Sequence, residues 1–105
     1  MRFVETPIST KAVVGLLDDE AYRALQLALL LRPETGRVIP GSGGLRKVRW
    51  AREGEGKRGG CRVIYYRDEP SETFFMLYAY GKSGQENLTA DQVRALGRLV
   101  REEFG

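Results

Sequence analysis

The chain has 105 residues, 42% hydrophobic and 30% charged, which suits one small domain with a modest core and leaves no room for a second. It has no His and one Cys, which excludes His-based acid–base pairs, Ser-His-Asp triads, HExxH and Cys-His zinc sites and any intrachain disulfide. Residues 1–35 carry four bases and five acids, residues 36–67 nine bases and two acids, and residues 68–105 four bases and seven acids, so the basic charge sits in one central segment.

Phe3 to Ile8, with Pro7 near its end, reads as an edge strand, where a proline is tolerated. Ser9 or Thr10 can cap a short helix to about Leu17, and Asp18 or Asp19 a second one to about Leu31. On that second helix Tyr22, Leu25 and Leu29 make one stripe, which Leu27, Leu30 and Leu31 widen. So broad an apolar face calls for cover from two sides. Arg32-Pro33 stops the helix, and Glu34 to Gly44, with its glycines and prolines, is a loop. Leu45 to Ala51 alternates imperfectly and reads as a strand, followed by a Gly- and charge-rich connection from Arg52 to Gly60. Cys61 to Arg67 and Thr73 to Tyr80 are apolar on both faces, hence central strands, with a turn at Asp68 to Ser71. Strict alternation puts Phe74, Met76, Tyr78 and Tyr80 on one face of the second. Thr89-Ala90-Asp91-Gln92 spells a capping box, with Leu88 and Val93 as its staple, and Val93, Leu96, Val100 and Phe104 form the stripe of a last helix. The order β-α-α-β-β-β-α predicts a single α+β domain over residues 1–105 with a small, mainly antiparallel sheet. Met1 to Pro7 has no apolar run of a secretory signal, and the greasiest stretch, Ala21 to Leu31, is far shorter than the ~20 residues of a membrane span. A cytoplasmic protein without membrane contact is expected.

Three stretches carry candidate chemistry. Gly41-Ser42-Gly43-Gly44-Leu45-Arg46-Lys47 fails the phosphate-loop spacing and precedes a strand, so its glycines serve a sharp turn. Gly54 to Arg62 gathers Lys57, Arg58 and Arg62. Arg62 enters a central strand, where a charge needs a partner or a wet cleft. It either pairs with an acid at the sheet margin or forms an anion-binding corner, for which its planar fork suits phosphate. Tyr78 to Glu86 ends a strand with Tyr80, whose hydroxyl can meet solvent or substrate, followed by Lys82. Tyr78 reads as an ordinary core aromatic. The basic segment as a whole suits a polyanion, nucleic acid above all, or is simply a solvated loop.

Gly43-Gly44-Leu45-Arg46-Lys47-Val48-Arg49-Trp50, Gly56-Lys57-Arg58-Gly59-Gly60-Cys61-Arg62-Val63-Ile64-Tyr65-Tyr66, Tyr78-Ala79-Tyr80-Gly81-Lys82 and Glu86-Asn87-Leu88-Thr89, taken with their spacing, resemble the HigB-like branch of the RelE/ParE toxin superfamily over about residues 36–104. The resemblance implies a RelE-like fold and a toxin held by a helix-turn-helix antitoxin. It implies either mRNA cleavage, often on the ribosome and without metal or cofactor, or, as in ParE-like members, gyrase inhibition. Arg62 matches the strand arginine that contacts the scissile phosphate, and Lys57 and Arg58 match the preceding basic loop in kind. The chain departs from the pattern at Ser83, where an Arg often follows the Gly-Lys pair, and in its tail, Glu102-Glu103-Phe104-Gly105, which lacks a tyrosine.

RNA cleavage by the 2′-hydroxyl needs a base, a charge clamp on the phosphate and an acid for the leaving 5′-oxygen. Without His, Lys57 or Lys82 crowded by arginines can serve as base, with Glu86 a weaker candidate. Arg62 serves as clamp, and Tyr80 as proton donor or stacking platform. Arg46, Lys47, Arg49 and Arg58 are the expected RNA contacts. A module that binds nucleic acid without turnover remains the third reading.

Overall fold

The computed structural model describes residues 2–50, 60–81 and 87–104. Chain order is β1 (Arg2–Glu5), α1 (Pro7–Val14), α2 (Asp19–Leu31), β2 (Arg37–Val38), β3 (Arg46–Trp50), β4 (Cys61–Asp68), β5 (Thr73–Gly81) and α3 (Ala90–Leu99), which runs on into a wider π-helical turn, Val100–Phe104. The five strands form one sheet in the order β1-β5-β4-β3-β2. β1 pairs parallel with β5, and every other pairing is antiparallel. The α+β class and the β3-β4-β5 meander are as expected from the sequence.

The start of the chain corrects the expected strand over Phe3 to Ile8. β1 stops at Glu5, and Thr6 caps α1, its side chain accepting from the Ser9 N–H at 3.1 Å. Pro7 opens the helix, because its missing N–H lies among those a first turn leaves unused and its fixed φ is already helical. α2 starts where expected: Asp18 accepts from the Ala21 N–H at 2.7 Å, and the helix ends at Leu31 before Arg32-Pro33. Thr89 and Gln92 form the expected reciprocal capping box of α3. In the loop read from Glu34 to Gly44 the structure adds β2, and Gly41, Gly43 and Gly44 take φ of 72°, 80° and 107°, values that other residues rarely adopt.

The sheet is packed on both faces. On one, α1, α2 and the connection between them bring Val13, Leu17, Leu25 and Leu29 against Val48, Val63, Tyr65, Phe74 and Met76. On the other, Leu96 and Val100 cover Leu45, Ile64, Phe75, Leu77 and Tyr80. Phe104, the last member of the expected stripe, lies beyond the described side chains. Leu25 and Leu29 are fully buried, but Leu27, Leu30 and Leu31 stay exposed, so α2 is covered from one side only. The alternation expected along β5 breaks at Leu77. Ile64 faces Tyr78 and Tyr65 faces Met76, which leaves Leu77 as the extra residue of a bulge. Beyond it the faces exchange: Phe74 and Met76 lie against α1 and α2, while Tyr80 lies on the α3 side. The bulge therefore decides which face Tyr80 serves.

Candidate functional site

Strand register assembles the site. Arg49 of β3 faces Arg62 of β4, which faces Tyr80 of β5, making one row across three strands. Residues directly opposite in antiparallel strands share a face, and Tyr80 fixes this one as the α3 side. The next row is Lys47, Ile64 and Tyr78. Lys47 donates from Nζ to Asn87 Oδ1 at 2.8 Å, tying β3 to the segment before α3. The Tyr78 and Tyr80 rings lie 6.0 Å apart at 31°.

Arg62 is 2% exposed and donates from Nη1 to the Gly60 carbonyl at 3.3 Å. Tyr80 is 5% exposed, and its hydroxyl, next to the Leu88 backbone, makes no well-formed hydrogen bond. Burial pushes the Tyr80 hydroxyl above its ordinary pKa, against the opposing pull of the Arg62 and Arg49 guanidiniums. It therefore stays protonated at neutral pH. Two cations beside it would also ease the charge of a phenolate left after proton donation. Arg49 is exposed.

Arg46 stands apart from this face. It is paired with Tyr65, which packs against α1 and α2, and donates from Nη1 to the Gly36 carbonyl at 2.7 Å. Lys57, Arg58, Lys82 and Glu86 lie outside the described residues. The described positions that flank them, Trp50, Gly60 and Gly81, come to one end of the sheet, since Cys61 pairs with both Trp50 and Gly81. Among the described residues, no group of three His, Cys, Asp or Glu side chains is placed to hold a metal ion, and no helix is long and apolar enough to cross a membrane. Sequence reading overlooked Arg37, which pairs with Lys47 through a strand of two residues. So short a strand has no periodicity to detect. Asn87, the Lys47 partner, had only its place before the capping box to mark it.

A protein-family comparison matches residues 36–103, from just before β2 into the terminal turn, to the RelE toxin of the RelE/RelB toxin–antitoxin system. The chain belongs to the RelE toxin family. A toxin role and an antitoxin partner follow from that membership. The match covers every strand and residue of the Arg49–Arg62–Tyr80 row in this RelE-family chain, and leaves β1, α1 and α2 outside it.

Proposed function

We propose that this RelE-family toxin is an endoribonuclease that cuts mRNA on the ribosome by attack of the 2′-hydroxyl on the adjacent phosphorus. The observation that carries the reading is the row of Arg49, Arg62 and Tyr80 on one face of the sheet. In the reaction the 2′-oxygen loses its proton and bonds to phosphorus, the bond to the 5′-oxygen breaks, and that oxygen gains a proton. The products are a 2′,3′-cyclic phosphate and a free 5′-hydroxyl. Tyr80, held protonated by burial, supplies the proton to the leaving oxygen. Arg62 binds the non-bridging oxygens, where its fork makes two charge-assisted hydrogen bonds, and Lys57 or Lys82 takes the proton from the 2′-hydroxyl. The scheme uses no cofactor. Because Arg62 and Tyr80 are buried in the free protein, substrate must displace their cover before the phosphate reaches them.

The test compares the wild type with Arg62→Ala, Arg62→Lys and Tyr80→Phe on mRNA with and without ribosomes, reading new 2′,3′-cyclic ends. Arg62→Ala is expected to slow cleavage by about 100- to 1000-fold, the usual loss for one charge-stabilising donor. Arg62→Lys restores little, since a point charge lacks the fork. Tyr80→Phe removes no well-formed hydrogen bond, so it should keep the melting temperature while slowing cleavage by about 100-fold or more. A folded Arg62→Ala or Arg62→Lys protein with full activity overturns the clamp. A wild type that cuts no RNA but blocks gyrase supercoiling overturns the endonuclease reading.

A further inference from the structure

We propose that β2 extends the RNA-binding face, with Arg37 holding a phosphate that flanks the cleaved one and a neighbouring base resting in the apolar groove between β2 and the start of α3. The inference rests on the endonuclease reading and adds to it a place for the flanking nucleotides. Arg37 is exposed and lies opposite Lys47, so both side chains stand on the face that carries Arg49 and Arg62. The four cations form a bent path: Arg37 to Lys47 across one strand spacing, Lys47 to Arg49 along β3, and Arg49 to Arg62 across the next. Steps of about 4.8 Å between strands and about 6.8 Å for two residues along one are of the order of the phosphate spacing in an extended single strand.

A groove of about 420 Å³ adjoins Arg37 and Lys47, its wall formed by Ile39, Pro40, Leu88 and Val93. A second, of about 350 Å³, shares Arg37 and Lys47 and continues along β3 to Arg49. Among the described residues lining the two grooves, none is acidic. Cations beside an apolar wall match the two parts of a nucleotide, phosphate and base. An acidic peptide could meet the same cations, but the path leads to Arg62 and Tyr80, where RNA must go for cleavage. That continuity favours RNA.

Binding of non-cleavable 2′-O-methyl RNA, a dinucleotide and a hexanucleotide, decides the matter. In the wild type the hexanucleotide should bind more tightly and with a steeper salt dependence. Arg37→Ala should weaken the hexanucleotide about tenfold, leave the dinucleotide unchanged and reduce the salt slope by about 0.7, the value of one phosphate contact on a single strand. Val93→Asp, which sets a carboxylate in the groove wall, should act in the same direction, and Arg37→Lys should keep most of the slope. Equal hexanucleotide affinity and slope for Arg37→Ala and the wild type, with Arg62→Ala still impaired, overturns this inference and leaves the endonuclease reading standing. Loss of antitoxin binding with unchanged RNA binding assigns the groove to the protein partner and overturns it as well. A wild type that binds neither oligonucleotide, and shows no cleavage, removes the endonuclease reading itself.

Discussion

Tyr65 shows how much one polar atom can organise. It lies fully buried in the sheet, donates its hydroxyl proton to the Pro33 carbonyl at 2.9 Å and accepts from the Gly36 N–H at 2.9 Å. It thus pins the chain after α2 just where β2 begins. Tyr65→Phe leaves a buried N–H and a carbonyl without this partner, and should lower stability by about 1–3 kcal/mol, measurable by urea unfolding. A change below about 0.3 kcal/mol would show that water replaces the hydroxyl. Tyr22, Tyr65 and Tyr80 are all held above the ordinary tyrosine pKa of 10.0, each chiefly by burial. The neighbouring Glu5 carboxylate adds to the effect at Tyr22. The native state therefore keeps protons that the unfolded chain releases near pH 10, so stability holds below that pH and falls as pH rises beyond it. The melting temperature between pH 8 and 11 should follow this course, with a shallower alkaline decline in Tyr22→Phe. An alkaline decline of the same depth in wild type and variant would remove Tyr22 from the account.

At the scale of elements, legibility follows locality. Asp18 and Thr89 announced α2 and α3 because a cap acts on N–H groups two or three residues away. Thr6-Pro7 carried the same kind of signal for α1, but Pro7 also suits an edge strand, and β1 does lie at the sheet edge. β2 was illegible because two residues are a strand only by pairing with β3. The bulge at Leu77 was illegible for a related reason: the β5 sequence is apolar on both faces, so a shift from one face to the other leaves no mark in it, and only its register against β4 reveals the extra residue. The candidate row was accordingly half readable. Arg62 stood out as a charge in an apolar strand, whereas its alignment with Arg49 and Tyr80 depends on that register. Gly97 of α3 gives an element-level test. Gly→Ala inside a helix usually stabilises by about 0.5–1 kcal/mol. Here the new Cβ would lie 3.0 Å from the Ser42 carbonyl oxygen. The Ser42 backbone is fixed by its N–H bond to the Ile39 carbonyl, and its side chain accepts from the Leu45 N–H. It has little room to give, so Gly97→Ala should destabilise by about 1–3 kcal/mol, as overpacking does. A higher melting temperature in this variant would mean that α3 slides easily over the glycine loop.

For the whole molecule, folding sorts charges that the sequence merely counts. The segment 36–67 holds nine bases, but those among the described residues do not share one face. Arg67 is bound to Glu69 at 3.0 Å, and Arg46 is turned toward Gly36 on the α1–α2 side. Lys47, Arg49 and Arg62, joined by Arg37, share the α3 side. A polyanion lying on one face meets only those on that face. If the four all reach phosphates, log K against log salt should slope by about −2.8, at about −0.7 per contact, before any share from Lys57, Arg58 and Lys82. Arg46 provides the contrast. Arg46→Gln should lower the melting temperature by loosening the Gly36 carbonyl, yet leave the salt slope unchanged. Arg49→Gln, exposed and in the row, should do the reverse, reducing the slope by about 0.7 with no loss of stability. Titrations of the hexanucleotide at four salt concentrations, with thermal unfolding of each variant, separate the two faces. Equal slope losses for Arg46→Gln and Arg49→Gln would mean that RNA wraps both sides of the sheet and that register does not select the contacts.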